Sequence, residues 1–153
     1  MENKIITRFG IHLKVRDIYK SYSFYSKFNL KPIFCYGDER WLDTIKKTNP
    51  EVGSAPEKYN GVTFEISDAL FEIADGHVAV KKEVFKNDID SSKVSAMLDV
   101  QSVDGVVEIC NENDFNIVVE PKSFPWGTKE VVVKDPDGFI LVFREFIKDY
   151  LKK

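Results

Sequence analysis

Few side chains in this sequence could carry out covalent or metal chemistry. There are two histidines, His12 and His77, and two cysteines, Cys35 and Cys110, which lie in apolar segments without CxxC spacing. No GxSxG or Cys-His arrangement offers an activated nucleophile, and the scattered glycines form no phosphate-binding loop. A histidine beside a carboxylate can shuttle protons near neutral pH, so His12 is the main candidate for acid–base chemistry. His77 follows a turn and is expected at an exposed strand end.

Composition narrows the partners and the compartment. The chain has 153 residues, of which 43% are hydrophobic and 31% charged, and its net charge is −3. This balance is typical of a globular protein and gives no support to nucleic-acid binding. No apolar run reaches the roughly 18 residues of a membrane span, and the first residues do not resemble a signal peptide. With both cysteines interpreted as reduced core residues, we expect a cytoplasmic protein without a membrane partner.

The elements that would position these side chains occur twice. Residues 11–15 alternate apolar and polar types as in a half-buried strand, and Asp17 can cap a helix after it. Residues 94–100 alternate in the same way, with Ser102 as the equivalent cap. The apolar positions of the two segments share one offset of 85 residues, as from Leu13 to Leu98. This register predicts two duplicated βαβ-type units.

Each unit is followed by two strands and a tight turn. In the first half the turn is Ser67-Asp68, and in the second half it is the stronger signal Asp135-Pro136-Asp137-Gly138. Together these patterns predict two βαβββ modules, at about 8–80 and 91–147, in one α+β domain. The longer stretch 38–60 is interpreted as a loop or lid, with a short helix around Trp41, Leu42 and Ile45 as an alternative.

This arrangement resembles the glyoxalase, bleomycin-resistance and extradiol-dioxygenase superfamily, also called the vicinal oxygen chelate superfamily. The resemblance implies two tandem modules whose curled mixed sheets surround a cavity, and a homodimer for chains of this length. Three stretches that together span nearly the whole chain carry it: His12-Leu13-Lys14-Val15-Arg16-Asp17 with Ser23-Phe24-Tyr25, Leu98-Asp99-Val100, and Pro125-Trp126-Gly127 with Asp135-Pro136-Asp137-Gly138 and the strand after it.

The resemblance also places the family's metal ligands. Metal-dependent members supply them from the first and last strand of each module, and those positions here are Gly10, Glu72, Ser95 and Val142. One carboxylate, one hydroxyl and two residues without a donor are a poor set for a divalent ion, so we expect no metal and no other cofactor. The alternative is a relocated site built on His12 and Glu72, with His77 or Asp99 as a third ligand.

Strand alternation then extends the implied cavity lining. The apolar walls would bind a flat organic ligand and the polar residues would fix its orientation. Simpler interpretations stay open: Lys14, Asp99 and Arg144 as solvated charge pairs at sheet edges, and Trp126 as a core or dimer-interface residue. The expected ligand-binding residues are His12, Lys14, Glu72, Ser95, Met97, Asp99, Trp126, Val142 and Arg144.

The leading functional prediction is a metal-free protein that binds, and possibly sequesters, a small aromatic or amphipathic compound, and that is not an enzyme. The first alternative is a lyase, isomerase or transferase of the same family, with His12 and Glu72 as catalytic candidates. They would act through relocated metal ligands or through metal-free acid–base chemistry. A third hypothesis is a degenerate module with a filled cavity that serves as a partner subunit.

Overall fold

The computed structural model describes residues 5–77, 79, 81, 83, 86–89 and 93–147. The chain divides into two compact units, residues 1–87 and 88–153. The sequence-based module limits at 80 and 91 both lie outside the described residues. Among the helices of the described part, none is long and apolar enough to cross a membrane.

The first unit contains two helices and a five-stranded mixed sheet of order β1-β5-β4-β2-β3. Strands β1 and β5 are parallel, as are β2 and β3, whereas β4 is antiparallel to both of its neighbours. In chain order the elements are β1 (Gly10–Lys14), α1 (Ile18–Ser26), β2 (Pro32–Gly37), α2 (Glu39–Lys46), β3 (Gly53–Pro56), β4 (Gly61–Ile66) and β5 (Ala69–Ala74).

The second unit repeats this plan without counterparts of α2 and β3. Its sheet order is β6-β9-β8-β7, with β6 and β9 parallel, as β1 and β5 are in the first unit. The predicted register is confirmed, because β6 begins 85 residues after β1 and α3 begins 85 residues after α1. The α+β class with two mixed sheets is therefore confirmed. The elements are β6 (Ser95–Asp99), α3 (Val103–Asn113), β7 (Asn116–Ser123), β8 (Thr128–Lys134) and β9 (Ile140–Phe146).

The stretch 38–60 is not the predicted loop or lid. It forms α2, capped by Asp38, and the edge strand β3, so the short-helix alternative was right. Trp41 and Ile45 lie one turn apart on α2, and both are fully buried. The Trp41 indole also donates a hydrogen bond of 3.0 Å to the carbonyl of Gly61 on β4. This segment is therefore part of the hydrophobic core of the first unit.

In both units the helices pack on one face of the sheet. In the first unit Tyr25 of α1 meets Phe71 of β5, with ring centroids 4.8 Å apart. In the second, α3 lies over β8 and β9, whose inward residues Val131, Val133, Leu141 and Phe143 are buried. The strand residues of opposite parity lie on the other side, called here the helix-free face of each unit.

Both cysteines are buried free thiols, as expected. Burial raises the pKa of the Cys110 thiol to about 11 and also raises that of Cys35. The thiolate, which is the reactive form, is therefore disfavoured at both positions.

Candidate functional site

Four polar side chains gather on the helix-free face of the first unit. His12 and Lys14 come from β1, and Glu72 comes from the neighbouring β5, directly beside His12 in register. Tyr36 reaches them from β2, two strands away. We call Lys14, His12, Glu72 and Tyr36 the polar cluster.

The polar cluster is a continuous hydrogen-bonded chain. Lys14 Nζ lies 3.0 Å from His12 Nδ1 and also contacts Nε2. His12 Nε2 lies 3.2 Å from Glu72 Oε1, and the Tyr36 hydroxyl donates a short hydrogen bond to the same oxygen. The Glu72 side chain is only 27% exposed, so one of its oxygens is already bound by two protein donors in a partly buried setting.

Burial and neighbouring charges set the protonation of the polar cluster. Burial lowers the pKa of His12, and Lys14 and His77 lower it further, while Glu72 acts in the opposite direction. Burial likewise lowers the pKa of Lys14. Burial and the hydrogen bond to Glu72 raise the pKa of Tyr36 far above its ordinary value, which keeps its hydroxyl a donor. A neutral imidazole with its proton on Nε2 satisfies every contact, because Nε2 donates to Glu72 and Nδ1 accepts from Lys14.

Tyr36 is the cluster member that sequence reasoning missed. It pairs with Gly61 of β4, and the ring lies over this residue on its way to Glu72. A Cβ added at Gly61 would lie 2.2 Å from Tyr36 Cζ. Strand alternation could have placed Tyr36 on this face, but the pairing of β2 with β4 was not readable from the sequence.

We expect Gly61→Ala to destabilise the first unit by about 1–3 kcal/mol, because the new methyl group collides with the Tyr36 ring. Removing the ring as well, in Gly61→Ala/Tyr36→Ala, should cost less than the sum of the two single changes. Urea unfolding of the four proteins measures this coupling. Gly105→Ala is the matched control, because its Cβ would make only ordinary contacts with Ser102, at 3.6 Å and beyond. A Gly61→Ala protein as stable as the parent would contradict this account of the contact.

The residues at the family's metal positions do not fit a divalent ion. Gly10 has no side chain, Val142 has no donor, Ser95 supplies one hydroxyl, and Glu72 is held by His12 and Tyr36. Throughout the described residues, no three His, Cys, Asp or Glu side chains group closely enough to hold a metal ion. The relocated alternative has the same difficulty, since the rings of His12 and His77 are 6.1 Å apart between centroids.

The helix-free face of the second unit combines apolar residues with a charge pair. Met97 of β6 lies beside Val142 of β9, and its side chain is 64% exposed. One step along the strands, Asp99 accepts hydrogen bonds from Arg144 Nε at 2.9 Å and Nη2 at 2.8 Å. This is the charge pair that the simpler interpretation expected, and the Arg144 side chain is the more covered of the two. Ser95 lies beside Ile140 on the same face.

Trp126 lies outside the core of its unit, with 56% of its surface exposed. Its ring stacks on Phe124, with centroids 4.5 Å apart and planes at 13°. Its indole nitrogen donates to Glu130 Oε1 at 3.2 Å, and Glu130 pairs in register with Arg144. Trp126 is therefore tied to the residue beside the Asp99–Arg144 pair, and Phe124 is a further aromatic surface that the sequence analysis did not single out.

The predicted residues thus form two sets. His12, Lys14 and Glu72 are in contact with one another in the first unit, and Ser95, Met97, Asp99, Val142 and Arg144 share one face of the second, where Glu130 links Trp126 to Arg144. Each set combines polar groups with accessible surface, which suits recognition of a small molecule.

Comparison with known proteins gives a family match and similar solved structures. The profile of the Glyoxalase/Bleomycin resistance protein/Dioxygenase superfamily matches residues 7–143. No curated protein matches the chain significantly.

Three solved structures illustrate the likeness. A glyoxalase/bleomycin resistance protein/dioxygenase from Nocardioides is 14% identical, with 95% of this chain and 87% of that one covered and a TM-score of 0.61. The fosfomycin resistance protein FosX from Listeria monocytogenes, complexed with Mn(II) and sulfate, is 15% identical, with 95% and 93% covered and a TM-score of 0.58. Glyoxalase I from Zea mays is 17% identical, with 90% and 46% covered and a TM-score of 0.64. At these identities the likeness shows the fold.

Proposed function

The chain belongs to the Glyoxalase/Bleomycin resistance protein/Dioxygenase superfamily, and from that premise we propose that it is a metal-free protein that binds a small aromatic or amphipathic molecule. One observation carries the proposal. Of the four family metal positions, only Glu72 has a strong ligand, and its carboxylate is already engaged by Tyr36 and His12. Because the superfamily fold is shared by enzymes and resistance proteins, the function has to follow from such local chemistry.

The second unit supplies surface suited to a flat ligand. Trp126 and Met97 are both more than half exposed, and Phe124 extends the aromatic surface of Trp126. An aromatic side chain can bury about 150–250 Å² of surface against a ligand. The partly covered Arg144, fixed by Asp99, would select ligands with a negative or strongly polar group.

We further propose that the protein acts in the cytoplasm, as a homodimer, and that it sequesters its ligand in the manner of a resistance protein. Two buried cysteines that form no disulfide support a reducing compartment. Light scattering coupled to size exclusion should give twice the chain mass of 17.6 kDa. A single-chain mass at micromolar concentration would remove the dimer from the proposal.

Ligand binding is tested by a thermal-shift screen of aromatic acids and amphipathic drugs on chelator-treated protein. We expect at least one compound class to raise the melting midpoint, because a ligand at 100 times its Kd stabilises the native state by about 2.7 kcal/mol. Chelation alone should leave the midpoint unchanged. Shifts that occur only after Mn, Zn, Ni or Fe is added back would count against a metal-free binder.

A second function, metal-free acid–base catalysis, is favoured by the contact between His12 and Glu72 at 3.2 Å. A neutral imidazole oriented by a carboxylate can remove a proton next to a carbonyl group. Deuterium exchange into 2-oxobutanoate, followed by NMR, should then be accelerated by the parent protein and return to background in His12→Ala. An equal exchange rate in the two proteins would exclude this role for His12.

A further inference from the structure

The polar cluster contains a nucleophile that the sequence analysis did not identify. Lys14 Nζ lies 3.0 Å from His12 Nδ1, and the other nitrogen of the same ring lies 3.2 Å from Glu72 Oε1. A nucleophile, a base within hydrogen-bond reach and a carboxylate that orients the base form the arrangement that activates nucleophiles in covalent catalysis. Here a lysine amine takes the place of the hydroxyl or thiol.

We propose that Lys14 forms an imine with the carbonyl carbon of a small aldehyde or ketone, with His12 as its general base. This activity goes beyond reversible binding and does not depend on the binding proposed above.

The reaction balances without an oxidant or a reductant. His12 Nδ1 accepts a proton from the Lys14 ammonium, and the freed amine forms a carbon–nitrogen bond to the carbonyl carbon. The carbonyl oxygen takes up a proton from the attacking nitrogen and becomes a hydroxyl group. His12 then returns its proton to this hydroxyl, the carbon–oxygen bond breaks, and water leaves. The products are a protonated imine on Lys14 and one water molecule.

The surroundings of Lys14 favour this chemistry. Burial lowers the pKa of Lys14, which increases the fraction of neutral amine, and it also lowers that of His12. The negative charge of Glu72 stabilises the imidazolium that forms in the first step, and Tyr36 holds that carboxylate in place. Lys14 and His12 both remain partly exposed, so a small carbonyl compound can reach them.

Lys129 provides a matched comparison within the same chain. Its ammonium donates a hydrogen bond of 2.8 Å to Asp104, and this bond raises the pKa of Lys129. Lys129 therefore has accessible surface but lacks a neighbouring base, and its amine is held in the protonated form.

The test is trapping of the imine on the full-length protein with propanal and sodium cyanoborohydride, followed by peptide mass spectrometry. We expect Lys14 to be alkylated at least about tenfold faster than Lys129, because general-base assistance contributes about 10²–10⁴ in rate. His12→Asn and His12→Gln should each reduce the rate at Lys14 by tenfold or more and leave the rate at Lys129 unchanged. Circular dichroism and the melting midpoint of each variant confirm that it is folded.

Equal labelling of Lys14 and Lys129, or labelling of Lys14 that is insensitive to both His12 substitutions, would overturn the inference. The thermal-shift screen on the same proteins keeps the two proposals separate. A protein that binds ligands but fails to trap propanal at Lys14 retains the binding function and loses the covalent one.

Discussion

Trp41→Ala is expected to lower the free energy of unfolding by about 3–5 kcal/mol, the range for removing a large aromatic residue from a core. Trp41 is fully buried, and its ring meets Tyr19 and Tyr22 edge to edge, at 5.2 and 5.6 Å between centroids. The substitution also leaves the carbonyl of Gly61 without its indole donor. For a chain of this size the melting midpoint should fall by roughly 10 °C. Urea and thermal unfolding measure both quantities.

Arg40→Ala is the control for this experiment, because Arg40 is the exposed neighbour of Trp41 on the same helix. It should change stability by less than about 1 kcal/mol. A similarly small effect of Trp41→Ala would mean that the segment 38–60 is a dispensable cover over the sheet and not part of its core.

Trp126→Ala should have the opposite profile. With more than half of its surface exposed, the side chain contributes little to folding, and we expect a stability change below about 1 kcal/mol. Its loss should weaken binding of the tightest compound from the thermal-shift screen at least tenfold, or about 1.4 kcal/mol, as for aromatic residues that dominate binding surfaces. Isothermal titration calorimetry on the two proteins measures the ratio of Kd values.

Trp126→Phe is the matched control, because it keeps a ring that can stack on Phe124 and on a ligand while losing the hydrogen bond to Glu130. It should retain most of the affinity. If Trp126→Ala binds every compound as tightly as the parent does, Trp126 is not a ligand contact, and its exposed ring has to be explained by a subunit interface.

The repeat explains why so much of the fold was predictable. One offset, visible in pairs such as Leu13 and Leu98, fixed the order and the facing of strands in both halves, because a one-residue error would have turned every side chain to the wrong face. The turns were equally explicit. Asp135 accepts hydrogen bonds from the amides of Asp137 and Phe139, and Gly138 has a φ of 89°, which few other residues tolerate.

The parts that failed depend on contacts between elements distant in the sequence. The segment 38–60 has no counterpart in the second half, so the repeat gave no guide to α2 and β3. Tyr36 is 36 positions from Glu72 along the chain and meets it only because β4 carries a glycine where the ring passes. His12, Lys14 and Glu72 were singled out, but that Lys14 reaches the imidazole of His12 required side-chain geometry.

The central claim is that Glu72 and its surroundings have exchanged metal binding for hydrogen bonding within the protein. The most direct test is the metal content of purified protein after incubation with Mn, Zn, Ni and Fe salts and desalting, measured by plasma mass spectrometry. The account predicts far less than one metal ion per chain, and no change in Tyr36→Phe, because the other three family positions still lack strong donors. One tightly held ion per chain in the parent protein would contradict it.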